Sequence, residues 1–123
     1  MTRAFERFAK KERLEGRALC EAIARAGRGT VDADLGGGIV KQRVARQGQG
    51  RSGGYRTLIA FRSQTRAVFI FGFAKKDLDN IGEADLRRLR QAAAPMLNWT
   101  EDEADAMVAA GKWMEIACDG QDL

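Results

Sequence analysis

The chain has 123 residues, of which 45% are hydrophobic and 31% charged, with a net charge of +4. That length suits one domain and leaves no room for two, and no apolar run nears the roughly 18 residues of a membrane span. Histidine is absent, which excludes serine-protease-type triads, histidine-based ribonucleases and nearly all zinc sites.

Residues 1–7 carry no apolar signal-peptide core. Two cysteines, Cys20 and Cys118, are too few for a disulfide-built secreted scaffold. A cytoplasmic protein that uses no cofactor and no metal is the expectation. The charge is unevenly placed. Residues 1–76 hold 17 Lys+Arg against 6 Asp+Glu, whereas residues 77–123 hold 4 against 11. Nine cations and no acid lie between Asp34 and Asp77. A stretch of one sign makes a strong local field and points to a polyanionic partner.

In chain order, residues 3–13 predict an amphipathic helix with Phe5, Phe8 and Ala9 on one face. A second helix is expected from Leu14 to Ala26, closed by Gly27 and Gly29. Residues 30–38 read as a loop. Ile39 to Ala45 alternates as a strand, with Ile39, Lys41, Arg43 and Ala45 on one face. Residues 47–54 are polar and glycine-rich and read as a loop. Tyr55 to Arg62 is a second strand, with Arg56, Leu58, Ala60 and Arg62 on one face and Tyr55 on the other. Ala67 to Phe73 is almost wholly apolar and is expected to be a central strand covered on both faces. A tight connection at residues 63–65 makes the last two strands an antiparallel hairpin. A longer helix follows from Gly82 to Leu97, bent or ended early by Pro95. Thr100 to Glu103 reads as a capping box opening a short helix that Gly111 closes, and Lys112 to Cys118 as an edge strand. The outline is an α+β domain with N-terminal helices, an antiparallel sheet and C-terminal helices, the helices expected on one side of the sheet.

The candidate chemistry lies on the strands. Lys41 and Arg43 share a face about 6.5–7 Å apart along one strand. Arg56 and Tyr55 follow a glycine turn, and Lys75 and Lys76 end the apolar strand. If the strands are neighbours, these cations converge where they could grip phosphate. Each feature also has a plain explanation. A Lys-x-Arg pair is usually a solvated face, and Tyr55 taken alone is more simply a core residue. Asp32 and Asp34 lack metal-site spacing and fit loop polarity. Cys20 fits a small core residue, and Trp99 and Trp113 fit packing anchors.

The segments Leu19-Cys20-Glu21-Ala22, Val31-Asp32-Ala33-Asp34-Leu35-Gly36-Gly37-Gly38 and Lys41 through Arg56, followed by Gly72-Phe73-Ala74-Lys75, resemble the RelE/HigB-type toxins of bacterial toxin–antitoxin systems. The likeness covers about residues 4–94 of a single 1–123 domain, with 99–123 as a C-terminal extension. It implies a small microbial-ribonuclease-like (RelE-like) fold and a ribosome-dependent mRNA endoribonuclease. The partners it implies are the ribosome, mRNA and a cognate antitoxin that is acidic or a helix-turn-helix protein. By resemblance, Lys41 and Arg43 serve proton transfer or phosphate binding, Arg56 the transition-state charge, and Lys75 or Lys76 the leaving group. Arg46, Arg51, Tyr55 and Arg62 are expected to contact RNA. Three features depart from the family pattern: the chain starts almost at the Phe-rich helix without the short N-terminal strand, Asp77-Leu78 replaces an acidic–arginine pair, and no aromatic stands around residues 80–82. The alternatives are a ParE-like gyrase inhibitor, an inactive toxin, or a nucleic-acid-binding module without catalysis.

Overall fold

The computed structural model describes residues 1–46, 50–62, 66–73, 82–116 and 118, excluding the side chains of 45, 46 and 50–53. Thr2 caps the first helix, α1 (Arg3–Glu12), its hydroxyl accepting the Phe5 N–H, and Arg13 ends it in the left-handed conformation. The second helix, α2, spans Gly16–Gly27. Four strands follow, β1 (Ala33–Gly36), β2 (Ile39–Arg46), β3 (Gly50–Arg62) and β4 (Arg66–Phe73), in one antiparallel sheet of order β1-β2-β3-β4. Helices α3 (Glu83–Asn98) and α4 (Glu101–Ala109) close the fold.

The sheet is covered on both faces, not on one. One side carries Phe5, Ala9, Leu19, Ala22 and Ile23 of α1 and α2 against Val40, Val44, Ile59 and Phe69. The other carries Ala93 and Leu97 of α3, with Trp113, against Ile39, Leu58, Ala60, Val68 and Ile70. Strand alternation delivers one residue set to each core. Trp99 and Trp113 pack ring to ring at 5.1 Å, as packing anchors do.

Several expectations change. The segment read as a loop contains β1, which pairs with β2 across a turn where Gly36, Gly37 and Gly38 all take positive φ, a conformation glycine adopts at no steric cost. Strand β3 begins five residues early, at Gly50 within the glycine-rich segment. Residues 47–49 and the hairpin connection 63–65 lie outside the described residues. β4 is covered on both faces but is an edge strand, not a central one. Thr2 seals part of its outer edge, its N–H donating to the Phe69 carbonyl and its hydroxyl to the Ile70 carbonyl, each at 3.0 Å. α3 continues through Pro95 to Asn98. The capping box at Thr100 and Glu103 is present. The expected last strand is reduced to an isolated bridge between Thr2 and Trp113. Cys20 is not a free core residue: it is disulfide-bonded to Cys118, with Cα atoms 5.6 Å apart.

Candidate active site

Register fixes the site. Lys41 pairs with Leu58, which pairs with Phe71; one step along, Arg43 pairs with Arg56, which pairs with Phe73. Directly paired residues share a sheet face. Lys41, Arg43 and Arg56 therefore converge on the α3 side, as alternation predicted.

The strand beneath them is held firmly from the other side. Gln42 is fully buried and donates from Nε2 to the carbonyls of Ala22 and Thr30, both at 3.0 Å. Its main-chain carbonyl accepts the Thr57 hydroxyl at 2.8 Å. Arg25 of α2, also buried, donates to the Arg43 carbonyl at 2.6 Å and pairs with Glu21 at 2.7 Å. A polar network packed under β2 thus fixes the backbone that presents Lys41 and Arg43, as a preorganised site requires.

The three cations differ in surroundings. Arg43 Nε lies 3.3 Å from the Asp32 carboxylate. The Lys41 ammonium has no hydrogen-bond or ion-pair partner among the described residues. Arg56 is only 8% exposed, and its Nη1 is buried without a hydrogen-bond partner among the described residues. A buried guanidinium donor left unpaired beside a second arginine is costly. A guanidinium presents a planar fork of donors of the kind that pairs with phosphate oxygens.

The remaining sequence candidates fall elsewhere. Tyr55 occupies the opposite face, its ring edge-on to Phe8 at 5.3 Å and its hydroxyl donating to Glu12 at 2.5 Å, so it does not join the cation cluster. Arg62 lies on the cation face but six residues along β3, roughly 20 Å from Arg56. Its guanidinium donates to the Leu97 carbonyl at 2.9 Å and to Asn98 Oδ1 at 3.1 Å. Arg66, next to the expected tight connection at residues 63–65, is 8% exposed and donates to the Met96 carbonyl at 2.6 Å. Both arginines cap the C-terminal end of α3, where cations complement the helix dipole. The backbone of Arg46 and Arg51 belongs to β2 and β3, but their side chains, and all of Lys75 and Lys76, lie outside the described residues.

Three neighbours escaped the sequence reading. Asp32, assigned to loop polarity, is the ion-pair partner of Arg43. Phe71 and Phe73 join the cation face because the β3–β4 register shifts between Leu58 and Ile59, leaving Ile70 as an extra residue. Strict alternation would have put both with Phe69 on the α1 side; a bulge re-aims the side chains beyond it. Gly72 confirms the new phase, since a Cβ there would fall 2.3 Å from the Phe8 ring of α1.

The fold and this face define a small α+β protein with Lys41, Arg43 and Arg56 on one side of its antiparallel sheet. The family profile of the RelE toxin of the RelE / RelB toxin–antitoxin system matches residues 1–116. The chain belongs to that family and is the toxin of a toxin–antitoxin system, with an antitoxin as its partner. The match extends past residue 94, where the likeness read from the sequence ends, to take in α4 and Trp113. No curated protein and no solved structure matches the chain. Among the described residues no helix is long and apolar enough to cross a membrane.

Proposed function

We propose that this toxin is a ribosome-dependent mRNA endoribonuclease that works in the cytoplasm. Toxins of its family are generally endoribonucleases. The observation that carries the reading is Arg56, a buried guanidinium whose Nη1 has no hydrogen-bond partner among the described residues and which lies directly opposite Arg43. Keeping such a group costs stability, and a phosphate repays it. A gyrase inhibitor that performs no chemistry has no need of converging cations.

In this mechanism the RNA supplies the nucleophile. The 2′-oxygen bonds to the adjacent phosphorus as its proton leaves, and the bond from phosphorus to the 5′-oxygen breaks as that oxygen gains a proton. The products are a 2′,3′-cyclic phosphate and a 5′-hydroxyl. Arg56 and Arg43 hold the non-bridging oxygens as charge grows on the pentacovalent phosphate. Lys41 is assigned the transfer of the 2′-hydroxyl proton, and Lys75 or Lys76 the protonation of the leaving oxygen. Asp32 holds Arg43 side-on. The antitoxin neutralises the toxin by laying an acidic segment over this face.

The experiment is induction of the chain alone in a bacterium, with mapping of mRNA 5′ ends and plasmid supercoiling. Growth arrest with new mRNA ends inside translated regions is the expected outcome. Arrest with relaxed plasmid and intact mRNA would establish the gyrase reading instead.

A further inference from the structure

Phe71 is 38% exposed, and Val108 is the other large hydrophobic of comparable exposure among the described residues. Its ring lies 6.2 Å from that of Phe73, tilted by 43°. The bulge at Ile70 turns both rings onto the cation face, next in register to Leu58 and Arg56. Neighbouring strands are about 5 Å apart. The aromatic pair therefore runs along β4 about 5 Å from the Arg56 strand and about 10 Å from the Arg43 strand. Phe73 packs against the α3-side core, which leaves Phe71 as the accessible ring.

An exposed phenylalanine beside an arginine cluster suits a ligand with a flat apolar surface joined to an anion. A nucleotide of a single strand has both, a base face and a phosphate, and aromatic stacking beside a basic track is a general mode of single-strand binding. In a duplex the base faces are already stacked on their neighbours. We infer that β2–β4 form a single-strand RNA platform in their own right, with phosphate on Arg43 and Arg56 and one unstacked base on Phe71, so that the toxin binds short single strands without the ribosome. The inference rests on the proposed nuclease reading for the phosphate position and adds the base site.

The test separates the two by removing cleavage. The probe is a fluorescein-labelled 2′-O-methyl hexanucleotide, which has no free 2′-hydroxyl, alongside the same strand with one abasic position and the same strand in a duplex. The parent chain is expected to bind the intact single strand more tightly than either. Phe71→Leu is expected to lose about 5- to 100-fold in affinity, and to bind the abasic and intact strands alike. Phe71→Tyr keeps the ring and should bind as the parent does, which controls for folding. Equal binding by Phe71→Leu and parent, or no preference of the parent for the intact strand over the abasic one, would overturn the inference. Cleavage of mRNA on ribosomes by a chain that ignores the hexanucleotide would remove the platform and leave the nuclease standing. Ring-dependent binding by a chain that never produces new mRNA ends would do the reverse.

Discussion

Arg43 and Arg56 face each other directly across β2 and β3, two cations on one side of the sheet with Cα atoms about 5 Å apart. Like charges in this position repel. Asp32 balances Arg43, whereas the buried Nη1 of Arg56 has no partner among the described residues. The arrangement is costly to stability.

Replacing Arg56 should therefore separate stability from cleavage. Arg56→Met removes a buried, incompletely paired charge and keeps the volume, so the variant is expected to melt at or above the parental temperature. Its mRNA cleavage should fall by about 10²–10³, the usual loss when one charge-stabilising donor goes. Arg56→Lys should recover little, since an ammonium lacks the planar fork. Thermal melts combined with mapped mRNA ends check this, and parental cleavage by Arg56→Met would move the phosphate site elsewhere.

Gly72 is expected to tolerate no side chain. A methyl group there would sit 2.3 Å from Phe8, whose ring is held between Phe5 and Tyr55. Gly72→Ala should cost about 1–3 kcal/mol through overpacking. The penalty should shrink in a Phe8→Ala background, because the two sites are in contact and do not add. Urea unfolding of the four chains in the cycle measures the coupling.

Arg66 and Arg62 should differ although both bond the end of α3. Arg66 is buried and also meets the Thr100 carbonyl and the Glu101 carboxylate, each at 3.5 Å. Arg66→Ala is expected to destabilise by about 2–3 kcal/mol, as buried charged hydrogen bonds do. Arg62→Ala, at an exposed position, should cost less than about 1 kcal/mol. Equal losses in denaturant unfolding would contradict this assignment.

The Cys20–Cys118 bond joins residues 98 apart in sequence. A closure of that length restricts the unfolded chain by about 4–5 kcal/mol in the entropic account. Reductant, or Cys118→Ser, should lower the melting temperature without unfolding the chain at 25 °C. The C-terminal segment is still tied by mutual Met1–Met114 backbone bonds at 2.7 and 2.9 Å and by the Trp99–Trp113 contact. An unchanged melt in reductant would show that the bond adds nothing.

Burial pushes the Met1 amine down from 8.0 to about 6, with Glu6 opposing the shift. The unfolded chain then binds more protons than the folded one between these values, so stability rises with pH across that window. The contribution is complete above about pH 8, and it is lost as pH falls through about 6. An Nα-acetylated chain keeps an N–H for the Met114 carbonyl but cannot titrate. Its stability should lose this slope, and an identical pH profile for both chains would refute the assignment.

Which candidate residues share a sheet face was largely legible because a strand has a period of two. Lys41 and Arg43 fall on one face of β2 and Arg56 on one face of β3 from spacing alone, and Tyr55 falls on the other face of the same strand. The helices themselves, the capping box at Thr100 and the antiparallel pairing of β3 with β4 were local signals too, although α3 runs on through Pro95. The β1 strand was not legible, since four residues among glycines and aspartates carry no periodic pattern of their own.

What the sequence alone determined is therefore the phase of β2, of β3 and of the first half of β4, and the concentration of positive charge, because these are set by residues within a few positions of one another. The tertiary structure decided the rest. The bulge at Ile70 turned Phe71 and Phe73 toward the cations, α3 engaged Arg62 and Arg66, and Cys20 met Cys118 from across the chain. Each of these depends on which distant backbone or side chain lies opposite, and a partner's identity is fixed only when the sheet and its two helical layers pack together.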